Sequence, residues 1–468
     1  MERPPAVVVT RMAQTQLIKP ASEAAPYGTF VPTLVVDSTV ASTKWVMVAI
    51  LSMLSCLNQA ICYTYAPVSH FAEQGWHHTI TCTTLITVYF VAYIPFAFIG
   101  SWIMDHRGLR FGVLLGAGLQ AAGASLRVVG DWIDPSYQLY FLFGGQMLAA
   151  VAMPFMVNSP PMLSALWFPP SQRAMATSVA VNCNQLGIAL VYILCPLVVT
   201  SVTDIPNWTL LIAALSIAAF VVTIFWFKSS AKFLNVDDDV SYDWHQWLNA
   251  FHHDGFFLTV FVFAVAETVT NVLSSLLNHI LRADVFTKAQ KGLIGAAFIV
   301  SALVGGQVVS GYIDGTQLHK VALVVCLVVT GVSLVAFHFA ASAVFSGQMY
   351  VTMACLMVAG LFLGPLQPIS LELGVECAHP TTEATVAALQ QLCGNFLSAV
   401  LVPVLGSIQH AADEVHAQQA AGHEASYWME TFITPEVVLS VLVFIVASVF
   451  CGFGGKFKRS ALEGQHGL

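Results

Sequence analysis

The chain has 468 residues, of which 57% are hydrophobic and 9% charged. A soluble domain keeps about a quarter of its residues charged, so this composition, with a mean hydropathy of +0.76, excludes an ordinary soluble domain and belongs in lipid. The net charge of -8 is spread over loops without a basic patch, which argues against nucleic acid as a partner.

Residues 1–43 are polar and dotted with proline, with no apolar h-region, so a cytosolic N-terminal tail is expected and a cleavable signal peptide is not. Twelve apolar runs follow, each about 18 to 25 residues long, enough to cross a hydrocarbon core about 30 Å thick. They lie at 45–69, 80–104, 111–130, 138–160, 174–199, 208–227, 256–281, 292–313, 321–341, 348–370, 384–408 and 436–454, and are called spans one to twelve. Lys228 to Gly255 is the longest interior polar stretch and includes Asp237-Asp238-Asp239. A charge run of this kind reads as a solvated linker. It divides a six-helix half at 44–227 from a second at 256–454, and residues 455–468 form a cytosolic tail. The predicted fold is an all-α membrane protein of twelve transmembrane helices in two pseudo-symmetric halves.

Charge sets the orientation. With both termini in the cytosol, thirteen of the 17 Lys and Arg residues fall inside, and Arg127, Arg282, Lys288 and Lys291 fall outside. This is a strong positive-inside bias. Nine of the ten cysteines lie within apolar runs and Cys377 lies in a short loop beside one, so they read as small hydrophobes rather than disulfides. Neither a metal-ligand spacing nor a cofactor motif appears, and no cofactor is expected. A histidine box, a nucleophile elbow and a phosphate loop are also missing, which argues against an enzyme.

The halves echo one another. Span two ends Ser101-Trp102-Ile103-Met104-Asp105 and span eight ends Ser310-Gly311-Tyr312-Ile313-Asp314, each before a tight loop with basic residues. Span four opens Gly145-Gln146-Met147 and span ten Gly347-Gln348-Met349. Such a repeat puts a substrate site near the middle of the membrane, between the halves.

The stretch Ser101 to Arg110 resembles the G-x-L-x-D-R-x-G-R-R motif of the major facilitator superfamily, with Asp105, Gly108 and Arg110 matching. Ser101, His106 and Leu109 depart from it. An acid at a helix end can pair with basic residues or a helix N-terminus and latch the cytoplasmic side, and the glycine permits the sharp turn. Asp105, Gly108, Arg110 and Asp314 are therefore the expected gating residues. The alternative is an ordinary cytoplasmic turn.

A narrower resemblance follows from Gly145-Gln146 through Trp167-Phe168, Asn184-Gln185-Leu186-Gly187-Ile188-Ala189, Ser274-Ser275-Leu276-Leu277-Asn278, and Pro380 with Glu383, Thr385 and Leu389. These are similar to the feline leukaemia virus subgroup C receptor (FLVCR) family. Arg173-Ala174-Met175-Ala176-Thr177 and Thr64-Tyr65-Ala66-Pro67 resemble a branch of that family that includes a lysosomal vitamin B6 transporter. The resemblance implies carriage of choline, ethanolamine, pyridoxine or haem. It places a substrate-contacting glutamine at Gln185 and its counterpart in span eleven at Asn395. The aromatic cage that choline-carrying relatives use for a quaternary ammonium would need aromatic rings at Cys62 and Asn271, so it is absent in that form. Tyr63 and Tyr65 stand nearby and could rebuild it.

Polar groups in mid-membrane are expensive, which makes each a site candidate. Glu267 sits at the middle of span seven, fifteen residues or roughly 22 Å from Arg282 at helical rise. It reads as a proton-coupling group, as the counter-charge of a cationic amine, or as a structural acid bonded to amides. The expected substrate-binding set is Gln185, Asn395, Asn271, Glu267, Tyr63 and Tyr65. The alternative for the amides is interhelical hydrogen bonding.

These residues together predict a monomeric secondary transporter of a small organic solute working by alternating access, with the plasma membrane as its expected location. The alternatives are a haem transporter, though most of the 15 histidines sit in loops, and a non-transporting receptor or scaffold. Polar residues in equivalent places of both halves favour transport, since a scaffold gains nothing from them.

Overall fold

The structure is a computed structural model and describes residues 38–133, 135–168, 170–228, 250–282, 285–316, 318–342, 347–378, 381, 383–420 and 434–455. Contacts divide the chain into Met1–Ala41, described only at the start of its first helix, and Ser42–Leu468, which holds the helical bundle. The polar tails, Asp237-Asp238-Asp239 and most of the 228–255 linker lie outside the described residues.

Each of the twelve predicted spans falls on helix. Among the described residues, eleven helical segments are long and apolar enough to cross a bilayer, and Pro435–Cys451 is a shorter apolar helix at the position of span twelve. Span two packs against span eleven and span five against span eight, while span seven packs against spans ten and eleven.

The structure departs from the predicted spans where proline interrupts an apolar run. Span one is not one rod: its helix Ser38–Cys62 stops, a 3-10 turn occupies Ala66–Val68, and a short helix resumes at Ser69–Gly75. Pro67 has no N–H to donate, and in a continuous helix its ring would clash with the carbonyl of Tyr63. The carbonyls freed at the break find partners, as they must in the absence of water. Ile61 O accepts from Arg127 Nη1 at 3.1 Å, and Thr64 O from Trp208 Nε1 at 3.1 Å. Arg127, counted outside in the charge bias, is therefore a buried helix residue holding this break. Span ten breaks likewise at Gly364-Pro365, and its second helix, Leu366–Ala378, takes in Cys377, which the sequence had placed in a loop. Span four continues past Asn158 as Ser159–Trp167, and span eleven runs from Glu383 to Ala420. None of the ten cysteines is in a disulfide.

Gly108 joins span two, ending at Arg107, to span three, beginning at Leu109, with φ at +83°. An added Cβ would meet nothing within 4 Å, so backbone conformation alone demands glycine here.

Candidate functional site

Along span seven, Phe256–Ile280, the polar residues Glu267, Asn271, Ser274 and Asn278 recur at three- and four-residue steps, which puts them on one helical face. This span is wrapped by protein: 83% of its apolar window is buried, against 33% in span eleven. A polar stripe there must find partners or leave atoms unsatisfied.

Glu267 does both. Its Oε1 accepts a hydrogen bond from Gln391 Nε2, and lies 3.3 Å from Asn395 Nδ2, which also donates to Gln391 O at 2.9 Å. Its Oε2 has no partner among the described residues. Gly394 lies between these two amides on span eleven, and a Cβ there would run into the Glu267 carboxylate. The glycine lets the acid lie flat against the backbone of span eleven. No ion pair to Glu267 occurs among the described residues.

Around this carboxylate is a small cavity. Glu267 and Asn271 line it from span seven, Gln391 from span eleven and Gln367 from span ten. Ser55 and Gln59 of span one and Asn184 and Gln185 of span five line it as well, with Val157, Pro160 and Val181. Gln59 Nε2 donates to Asn184 Oδ1 at 2.8 Å, and Asn184 Nδ2 donates to Ser55 Oγ at 3.0 Å. The Oε1 atoms of Gln59 and Gln185 are left without partners.

Three contacts tie span seven to the first half at successive turns. Tyr63 Oη donates to Asn271 Oδ1 at 3.0 Å, Tyr192 Oη to Ser274 O at 2.5 Å, and Asn278 Nδ2 to Ser69 Oγ at 2.7 Å. They run from the cavity towards Ile280, the end that the charge bias puts outside. Asn271 Nδ2 also donates to Ser398 Oγ at 3.0 Å, which joins span eleven to the network.

The expected site residues separate accordingly. Gln185, Glu267 and Asn271 line the cavity, and Asn395 backs Glu267 without lining it. Tyr63 is fully buried and bound to Asn271. Tyr65 lies apart, its ring 4.8 Å beneath the Arg127 guanidinium and edge-on to Trp76. Of the gating set, Arg110 is exposed and reaches Ile224 O at 3.5 Å. The side chains of Asp105 and Asp314 lie outside the described residues. Among the described residues, no group of three or more His, Cys, Asp or Glu is placed to hold a metal.

The sequence reading missed Gln391, Gln367, Gln59 and Ser55. A signal was present: Ser55 and Gln59, Glu267 and Asn271, and Gln391 and Asn395 are each one helical turn apart within apolar runs.

The family model for the Major Facilitator Superfamily matches residues 48–403. "Solute carrier family 49 member A3" of Xenopus tropicalis is 26% identical over 75% of this chain and 75% of its own. "Choline/ethanolamine transporter FLVCR1" of Felis catus is 27% identical over 80% of this chain and 69% of its own. The fold matches the xylose transporter XylE of E. coli at a TM-score of 0.63 and 14% identity, covering 89% of this chain and 98% of that one. With eleven helical segments long and apolar enough to cross a bilayer and one shorter apolar helix among the described residues, and with relatives in the FLVCR family, this chain belongs to the major facilitator superfamily of membrane transporters.

Proposed function

We propose that this transporter carries a small organic amine, of the choline, ethanolamine or vitamin B6 kind, through the cavity around Glu267. The observation that carries the reading is Glu267 itself: a buried carboxylate at the cavity wall, held at one oxygen by amides, open at the other, and paired with no cation among the described residues. A buried charge without a counter-ion is costly, and a cationic substrate would supply that counter-ion. The name of the cat relative specifies substrates of this chemistry. Haem fits less well, since its carboxylates would meet Glu267.

In this reading Gln185 and Asn271 contact the solute, while Gln391 and Asn395 position the carboxylate. Tyr63 orients Asn271 as part of the closure towards the outside. The halves at 44–227 and 256–454 rock about the cavity, and the turn with Asp105, Gly108 and Arg110, together with Asp314 at the end of span eight, latches the opposite side. The plasma membrane is the proposed location. A proton competes with the amine for the same carboxylate, so uptake should weaken as the pH on the loading side falls.

The test is uptake of choline, ethanolamine, pyridoxine and haem into cells at about pH 5.5 and about pH 8, by wild type and Glu267→Gln at matched surface expression. Wild type should carry an amine, and the variant should lose that uptake by about 10- to 100-fold, as expected when a charged hydrogen-bond partner is removed. Equal uptake by both proteins would refute the role of Glu267, and haem uptake alone would refute the amine.

A further inference from the structure

Several features lie outside the mechanism above: the buried His338 and Glu436 pair, the Arg127 and Tyr65 stack, and the histidines His279 and His410 at the far end of spans seven and eleven. Each is accounted for by packing or by a helix break. The cavity carries more.

Its unsatisfied atoms are all of one kind. Among the residues lining it, the buried side-chain atoms without a hydrogen bond are Gln59 Oε1, Gln185 Oε1 and Glu267 Oε2. Just behind them, Asn395 Oδ1 is unpaired as well. All four are acceptors. Four donors close to them are turned inward: Gln59 Nε2 to Asn184, Asn184 Nδ2 to Ser55, Gln391 Nε2 and Asn395 Nδ2 to Glu267. These assignments support one another, because reversing the Gln391 amide would set its oxygen against the Glu267 carboxylate.

We infer that the site selects ammonium ions that bear N–H groups, and discriminates against quaternary ammonium ions of the same size. This rests on the amine reading and narrows it. A primary ammonium brings three donors, of which one suits Glu267 Oε2 and the others suit the amide oxygens of Gln59 and Gln185. A trimethylammonium group brings charge but no donor, and leaves each acceptor buried and unpaired. A site built to hydrogen-bond a substrate rejects the analogue that lacks the hydrogen far more strongly than an apolar pocket rejects a change of size. The alternative recognition of a quaternary ion, by aromatic faces, finds no ring among the described residues that line this cavity.

The experiment needs no variant. Ethanolamine, its N-methyl and N,N-dimethyl derivatives, and choline are compared on the wild-type protein as competitors of labelled ethanolamine uptake and as substrates in their own right. Size rises through the series while N–H donors fall from three to none. The expected result is a steady loss of potency, by about tenfold or more between ethanolamine and choline. Choline equal to ethanolamine, or better, would overturn the selectivity and leave the amine reading standing. Failure to carry any of the four would sink the amine reading, and the selectivity with it.

Discussion

Among the buried carboxylates of the described residues, Glu267 and Glu436 live differently. Glu436, at the start of Pro435–Cys451, lies 2.8 Å from His338 Nδ1 across the interface of spans nine and twelve, and Thr434 Oγ1 lies 3.2 Å from the same nitrogen. Glu267 has amides on one oxygen, and in both acids the second oxygen, Oε2, has no partner among the described residues. Burial alone does not distinguish them, since both are about equally hidden, at 4% and 5% exposure. What differs is the partner. A histidine can supply the proton or the charge that a buried carboxylate lacks, and the pair then serves to fasten two helices. Amides supply neither, so Glu267 remains able to take both from elsewhere. A buried acid bound only to amides and facing a cavity is the stronger indication of a transport site.

The largest way to break this contrast is to crowd Glu267. Gly394→Ala places a methyl group where the carboxylate lies, and overpacking of this kind costs about 1–3 kcal/mol. Amine uptake should fall by about tenfold or more at matched expression. Combined with Glu267→Ala, the same change should add almost nothing, because the two effects act through one contact. Full additivity in uptake would show that Gly394 serves packing alone.

A smaller effect is expected at Tyr63. Tyr63→Phe removes the donor to Asn271 Oδ1 and should cost about 1 kcal/mol of stability. Apparent amine affinity should change by no more than about threefold, since the ring does not line the cavity. A rise in KM beyond about tenfold would instead place Tyr63 in direct contact with the solute.

The contrast also explains what was readable in the sequence. The twelve spans were, because twenty apolar residues in a row have few other uses. The partners that stabilise the interruption in span one were not, because they are distant in sequence, Arg127 for Ile61 and Trp208 for Thr64. Glu267 stood out as an acid in an apolar run. Gln391 and Gln59 did not, since a glutamine in a membrane helix more often fastens helices together, and only the fold shows which one faces a cavity. Tyr65 is close in sequence to Tyr63, yet its ring lies against Arg127 and not along the cavity. The His338 and Glu436 pair was hidden because its members are 98 residues apart.

The most direct test of the account sets the two acids against each other in one measurement. Ethanolamine affinity and thermal midpoint are determined on purified wild type, Glu267→Gln and Glu436→Gln. The account predicts crossed outcomes. Glu267→Gln should lose about tenfold or more in affinity with its midpoint unchanged or raised, because a neutral amide replaces an unpaired charge. Glu436→Gln should lower the midpoint and keep affinity within about threefold of wild type, because distant sites act nearly independently. If Glu267→Gln instead destabilises the protein and binds ethanolamine as tightly as wild type, Glu267 is a fastener like Glu436 and the account fails.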